Sequence, residues 1–369
     1  MKLKDFANIN MGQSPKGDTY NSEGNGMPFM QGRKTFGRLF PFIDTWTSKP
    51  IKIAEEGDIL MSVRAPVGDM NLCKQKICIG RGLCSIRAYN NNNKYLYYLL
   101  LNCKDELKKK STGTVFDSVN KNDLENLDIP VHSENDQVKI SYILSNIDEK
   151  IELNNEINNN LHELMETQFN RWIEDLEEYE ESNLTTIANY TNGLAMQKFR
   201  PNENEKSLLV VKIKEMNSGI SQDTERCSLD IKDEVKVYDG DILFAWSGTL
   251  CMTIWCGGNA GLNQHIFKVT SDKYPKWFYY FWTLKYLNKF KMIAEGKTTT
   301  MGHIQRKELD NSEVKLPREV ELKRMNSIME PLLEKYIANN VSNRTLEQLR
   351  DTLLPKLMNG EIELDNIEI

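Results

Sequence analysis

The sequence is defined first by what is missing from it. No apolar stretch in its 369 residues approaches the roughly 18 residues a membrane span requires. The opening MKLKDFANINMGQ has neither an apolar core nor a small-residue cleavage site, so it does not read as a secretory leader and the expected location is the cytoplasm. There are seven cysteines and four histidines. No cysteine pair has Cys-x-x-Cys spacing and the histidines are scattered, so no metal centre is expected and the thiols read as reduced and mostly buried.

Catalytic signatures are missing as well. No Gly-x-x-x-x-Gly-Lys-Ser/Thr loop is present, and no glycine-rich dinucleotide or methyl-donor turn follows a strand. The Asn/Asp-Pro-Pro-aromatic motif of an amino-methyltransferase is absent. Trp246-Ser247-Gly248 is only a fragment of a nucleophile elbow. Asp230 with Glu234 and Lys236 could in principle hold Mg²⁺ and position a water for phosphodiester cleavage. That group lies in the charged run Asp230–Lys236, and the first half has no counterpart. A solvated strand is the simpler reading, and no catalytic residue, metal or bound cofactor is expected on this chain.

What is present is a duplication. Gly57-Asp58-Ile59-Leu60 recurs as Gly240-Asp241-Ile242-Leu243, an offset of 183. Tyr95-Leu96-Tyr97-Tyr98 parallels Trp277-Phe278-Tyr279-Tyr280, a Thr/Gly-rich turn follows in each half, and each block closes at a proline, Pro130 or Pro317. Landmarks in one order at a nearly constant offset mark a tandem repeat. Each block mixes short runs such as Ser207–Ile213 with helices expected at Lys94–Lys110 and Pro275–Glu295, giving an α+β fold class.

After each proline the period changes to three and four. The apolar positions Ile140, Ile147, Ile151 and Leu161, with Asn154 among them, describe one amphipathic helix from about Asn135 to Glu181. Met325, Leu332, Tyr336, Asn343 and Leu346 describe a second from Glu319 onward. Asparagine in a helical seam lowers stability but fixes register. If the two helices pair, connectivity makes them an antiparallel coiled coil. At 1.5 Å per residue, 40 residues span about 60 Å, so a pseudo-twofold dumbbell is expected.

Charge follows the same division. The overall net charge is −6. Residues 1–130 carry 19 basic against 14 acidic side chains, and residues 186–317 carry 18 against 15. Residues 131–185 between them carry 3 against 14. Binding to DNA depends on local cation density at phosphates, so the total does not exclude it. Loops combining cations with small polar residues are the expected contacts. In the first block these supply Arg33, Lys34, Arg38, Arg64, Lys110, Thr112 and Lys121. In the second they supply Lys198, Arg200, Arg226, Lys297, Thr298, Arg306 and Lys307.

With these residues in view the chain resembles the DNA-specificity subunits of type I restriction–modification systems. The features that carry the likeness are Gly12-Gln13-Ser14-Pro15, the two Gly-Asp-Ile-Leu motifs, Ile79–Leu83, Leu262–His265, Asn120–Leu124 before Pro130, Gln137, and the run Leu349–Glu361. The resemblance implies two tandem target-recognition domains, residues 1–134 and 182–318, each reading one half of a bipartite, asymmetric site in double-stranded DNA. The helical regions 135–181 and 319–369 would be a spacer that docks two modification (methyltransferase) subunits, with restriction subunits joining them. S-adenosylmethionine, ATP and Mg²⁺ would reside on those partners. Arg318-Glu319-Val320-Glu321 departs from the family's usual Pro-Leu-x-Glu-Gln helix start. Two other readings share these features: a specificity subunit of a type IIB-like enzyme that cuts on both sides of its site, and a scaffold that binds protein and no DNA.

Overall fold

The computed structural model describes residues 1–111, 118–203, 205–296 and 302–365. The chain divides into two compact units, Met1–Glu152 with Leu346–Ile369, and Leu153–Thr345. The boundaries fall inside the two long helices, Glu134–Glu174 and Glu319–Met358. Each unit thus contains an α+β block together with a portion of both helices.

Unit 1 has a four-stranded antiparallel sheet in the order Ala7–Met11, Leu83–Ala88, Ile59–Ser62, Met70–Leu72. A second, mixed sheet pairs Met27–Met30 in parallel with Ile77–Ile79. Its core joins Ile59, Met61, Ile86 and Tyr95 to Ile140 and Leu144 of the central helix and to Leu357 and Met358 of the distal one. The apolar stripe of the central helix is therefore covered here by the α+β block as well as by helix.

Unit 2 repeats the plan with Asn189–Asn192, Ile266–Thr270, Ile242–Ala245 and Cys251–Ile254 as its antiparallel sheet. Ser207–Val211 pairs in parallel with Ala260–Leu262 in the mixed sheet. Its main core gathers Phe169, Trp172, Trp277, Phe278, Phe281, Met325 and Met329.

The repeated Gly-Asp-Ile-Leu motif has one structural meaning in both units. Gly57 and Gly240 lie at φ +80° and +86°, a left-handed turn that a Cβ would strain. The following aspartate closes the turn: its carboxylate accepts from the amide of Glu55 (2.9 Å) or Tyr238 (2.8 Å). Arg87 then binds Asp58, and Lys268 binds Asp241 at 2.8 Å. The isoleucine and leucine continue into the central strand of the sheet, where they are buried.

Several expectations are corrected. The central helix stops at Glu174, and Tyr179–Asn183 forms a strand against Glu313–Pro317. The acids Glu177, Glu178, Glu180 and Glu181 would have lain at a helix C-terminus, where the helix dipole repels negative charge. The helix expected at Lys94–Lys110 is two, Asn93–Asn102 and Lys104–Ser111, parted at Cys103. The run from Ser207 is a strand only to Val211, and Ile213–Ser218 turns helical.

Among the expected seam residues Ile140, Ile147, Ile151, Asn154, Met325 and Asn343 are buried, whereas Leu161, Leu332, Tyr336 and Leu346 are half-buried. Leu333, one position past Leu332, is the fully covered one. Within unit 2 the two helices are joined by amides. Asn154 donates to Asn343 at 2.7 Å, Asn339 to Asn158 at 2.9 Å, and Asn158 to the Tyr336 carbonyl at 3.2 Å. The numbers rise along one helix as they fall along the other, so these portions run antiparallel.

Candidate nucleic-acid interface

In unit 1 the strand Ile59–Ser62 leads into a tightly closed turn. The Ser62 amide donates to Asp69 O at 2.8 Å and the Gly68 amide to Ser62 O at 3.0 Å. Val63 is fixed from both sides, donating to Gly82 O and accepting from Val119 N, each at 3.0 Å. The next residue, Arg64, forms a single antiparallel bridge with Ser118. A short helix, Lys121–Glu125, then starts behind a capping box made by Asn120 and Asp123. Arg64 and Lys121 are both exposed, and Lys121 lies 3.5 Å from Glu125.

Unit 2 builds the same frame from different side chains. Trp246 donates to His265 O at 3.2 Å and accepts from Ile304 N at 3.1 Å, the counterparts of the two Val63 bonds. Ser247 bridges His303, as Arg64 bridges Ser118. The short helix Arg306–Asp310 follows behind a Gln305/Glu308 capping box, with Arg306 and Lys307 exposed in its first turn. The Trp246 ring stacks on Phe267 at 5.6 Å and meets the His303 ring edge-on at 6.3 Å.

The remaining expected contacts divide. Arg33 and Lys34 are exposed on the turn Arg33–Thr35, where Arg33 reaches Asp69 at 2.5 Å and Lys104 reaches the other carboxylate oxygen at 2.7 Å. Lys198 and Arg200 are exposed beside the turn Met196–Lys198. Arg226 is exposed but grips its neighbouring strand, donating to Ser207 Oγ at 2.6 Å and Ser207 O at 2.8 Å. Lys110 lies in the helix Lys104–Ser111, and nothing is described of its side chain. Thr112, Lys297 and Thr298 lie outside the described residues.

Arg38 must be reassigned. Its guanidinium donates to Asp148 Oδ1 (2.6 Å), Asp148 O (3.0 Å) and Glu152 Oε1 (2.8 Å), all on the central helix. The same carboxylate receives Arg350 of the distal helix at 2.9 Å and the Tyr98 hydroxyl at 2.7 Å. With Asp148 only 2% exposed, this is a structural knot in which Arg38 ties its loop to the central helix and Arg350 brings the distal helix to the same carboxylate. Burial and then the Asp148 charge push the Tyr98 phenol well above its usual range, which keeps it a neutral donor. Nothing in the sequence pattern marks this knot beyond a charged residue beside the stripe of Ile147 and Ile151.

The conceivable nuclease group does not assemble. Lys236 pairs with Asp233 at 2.7 Å and Lys232 with Glu234 at 3.5 Å, and Asp230 and Glu234 are exposed. No group of three or more His, Cys, Asp or Glu side chains suited to a metal occurs among the described residues. All seven cysteines are free. Burial pushes the Cys103 thiol up to about 11 and Cys84 up to about 12, away from the thiolate form that nucleophilic chemistry uses. No helix among the described residues is long and apolar enough to cross a membrane.

The described residues thus form a duplicated α+β frame that presents exposed basic side chains at its turns. The family model of the type I restriction modification DNA specificity domain matches residues 1–163 and 176–348, so the chain belongs to the family of type I restriction–modification DNA-specificity subunits. It is 41% identical over 150 residues to the Methanocaldococcus jannaschii protein named as the MjaX specificity subunit. That alignment covers 40% of this chain and only 35% of that relative. The type I restriction enzyme MjaIX specificity subunit of the same organism is 25% identical, covering 99% of this chain and 94% of the relative. The crystal structure of a type I restriction–modification S subunit from M. genitalium superposes with a TM-score of 0.59 at 16% identity, covering 97% of this chain and 95% of that one. That likeness is one of fold.

Proposed function

We propose that this chain is the sequence-reading subunit of a type I restriction–modification complex, that its two blocks each engage one half of a split, asymmetric site in double-stranded DNA, and that it contributes no chemistry of its own. The observation that carries this reading is the repeated frame, which ends in each unit in a short helix led by exposed cations (Lys121 in one, Arg306 and Lys307 in the other), with exposed Arg64 on the turn whose counterpart carries Ser247. Frames of one build with unlike side chains suit the reading of two unlike half-sites. The acidic helix between the blocks repels phosphate and so suits a protein partner. We assign to the long helices the spacing of the half-sites and the docking of two methyltransferase subunits, with restriction subunits added to them. Methyl donor, ATP and Mg²⁺ belong to those partners, and the site of action is the cytoplasm. The asparagine pairs of unit 2 support the spacer role, because amide pairs in a helical seam hold one register.

The test is methylome sequencing of a host lacking adenine methylation that carries this gene with its cognate methyltransferase gene. Methylation at one split motif, lost when this gene is removed, is the expected result. An unmethylated genome with the methyltransferase demonstrably made and assembled would refute it. Deleting seven residues, two helical turns, from the central helix should alter the gap between half-sites and leave their bases unchanged.

A further inference from the structure

Among the isolated bridges of each unit, one follows the central strand, and these two bridges are assembled alike with their members exchanged. In unit 1 the long donor side chain, Arg64, follows the central strand and faces Ser118. In unit 2 the serine, Ser247, follows the central strand and the long donor, His303, faces it from the opposite segment. The correspondence holds bond by bond. Val63 donates to Gly82 O as Trp246 donates to His265 O, and Val119 donates to Val63 O as Ile304 donates to Trp246 O. Both bridges are followed at once by a short helix whose first residue is a cation, Lys121 or Arg306.

Discrimination between bases needs a donor whose backbone is held while its side chain stays accessible, because an error of half an ångström loses a paired hydrogen bond. Arg64 meets this: it is exposed, yet lies between the fixed Val63 and a turn closed on Ser62. His303 is half-exposed, sits between Gly302 and Ile304, both bonded to the frame, and is flanked edge-on by the Trp246 ring. Arg33, Lys121 and Arg306 lie on turns and short helices and fit phosphate contacts better.

Resting on the DNA-reading function above, we propose that Arg64 and His303 are the equivalent specificity-determining side chains of the two halves. Each donates to the acceptor-bearing edge of a guanine (N7 and O6) in the major groove, one in each half-site. The exchange of bridge members lets one frame read the two halves with donors of different length and shape.

The experiment measures competition binding by the wild-type methyltransferase complex and by complexes carrying Arg64→Ala, Arg64→Lys or His303→Ala. The duplexes differ from the cognate site at one position at a time. A single mismatch should weaken wild-type binding by roughly 5- to 150-fold. Arg64→Ala should bring that penalty close to 1 at one guanine of one half-site, and His303→Ala should do so at one guanine of the other. Arg64→Lys, which keeps charge but not the bidentate fork, should bind and still fail to discriminate there. Full discrimination by Arg64→Lys, equal weakening at every position, or unchanged penalties in both alanine variants would each overturn the inference and leave the DNA-reading function intact. A wild-type complex that discriminates at no position would instead overturn that function.

Discussion

The two units hold their helices by different chemistry. In unit 1 a buried carboxylate, Asp148, gathers Arg38, Arg350 and Tyr98. In unit 2 the helix-to-helix contacts are neutral amides, Asn154 with Asn343 and Asn158 with Asn339. An ion pair there, Arg344 with Asp239, joins the distal helix to the block at 2.6 and 2.8 Å and is more open, each partner 28% exposed. Hydrogen bonds from Arg344 hold the Asp239 carboxyl below its usual range. A buried charge with three donors fixes one arrangement strongly, since breaking it leaves uncompensated charge. Amide pairs fix register with less at stake. The comparison teaches that one duplicated frame accepts either a buried charge cluster or neutral amide pairs between its helices.

The contrast is broken most sharply by Asp148→Ala. It removes the carboxylate that Arg38 and Arg350 share and leaves them only Glu152 and Asp351, with the two guanidinium groups 24% and 21% exposed. The cost should be about 3–5 kcal/mol, nearer the lower end because of that partial exposure. Hydrogen-exchange protection in residues 134–152 and 346–358 should fall by that amount while residues 179–317 keep theirs. Uniform loss, or none, would show that the knot is not what holds these helix portions. The complementary change, Asp239→Ala, should cost only about 1–2 kcal/mol in unit 2, where solvent reaches both partners.

A substitution at equivalent places tests the frame the units share. A Cβ on Gly12 would lie 2.2 Å from the Gly80 carbonyl oxygen, and one on Gly193 would lie 2.2 Å from that of Asn263. Backbone must move in either case, so Gly12→Ala and Gly193→Ala should each destabilise their own unit by about 1–3 kcal/mol. Similar losses, read by exchange in each unit, would confirm equivalence; a silent variant would show that its frame yields.

The amide seam makes a prediction with a change of sign. Asn343→Leu alone leaves the Asn154 amide buried without a partner and should cost about 1–3 kcal/mol. Asn154→Leu with Asn343→Leu removes both and should recover most of that loss, at the risk of register slips seen as heterogeneous helix exchange. A double variant as unstable as the single one would show that packing, not the unmet amide, sets the cost.

How much of this was legible in the sequence depended on how local the cause was. The repeat, the two long helices and their seam asparagines could be read because periodicity and the Gly57 and Gly240 turns are set within a few residues. The helix end at Glu174 was misplaced because the strand Tyr179–Asn183 exists only by pairing with Glu313–Pro317, 130 or more residues away. Arg38 was mistaken for a surface cation because its partners, Asp148 and Glu152, lie over 100 residues along the chain. The Arg64 and His303 bridges went unseen as a pair because their members are exchanged between segments, which an offset in sequence cannot reveal.

The smallest expected effect is a pH dependence confined to unit 2. His162 of the central helix lies 3.0 Å from the Tyr280 hydroxyl and packs against Phe281 and Tyr336. Burial lowers its pKa, only partly opposed by Glu166 at 3.8 Å. In the unfolded chain the ordinary value is 6.5. Above that value the imidazole is neutral in both states and the stability it permits is fully present. As pH falls below 6.5 the unfolded chain takes up the proton first, so stability declines until the lower folded value is passed. Unit 1 buries no comparable histidine on its helices. Five of the six tryptophans lie in unit 2, so tryptophan fluorescence in urea reports mainly on that unit. The urea midpoint should drop between pH 7.5 and 5.5, and His162→Gln should reduce the drop. An equal drop in the variant would place the acid sensitivity on the carboxylates instead, because those titrate whether or not the imidazole is present.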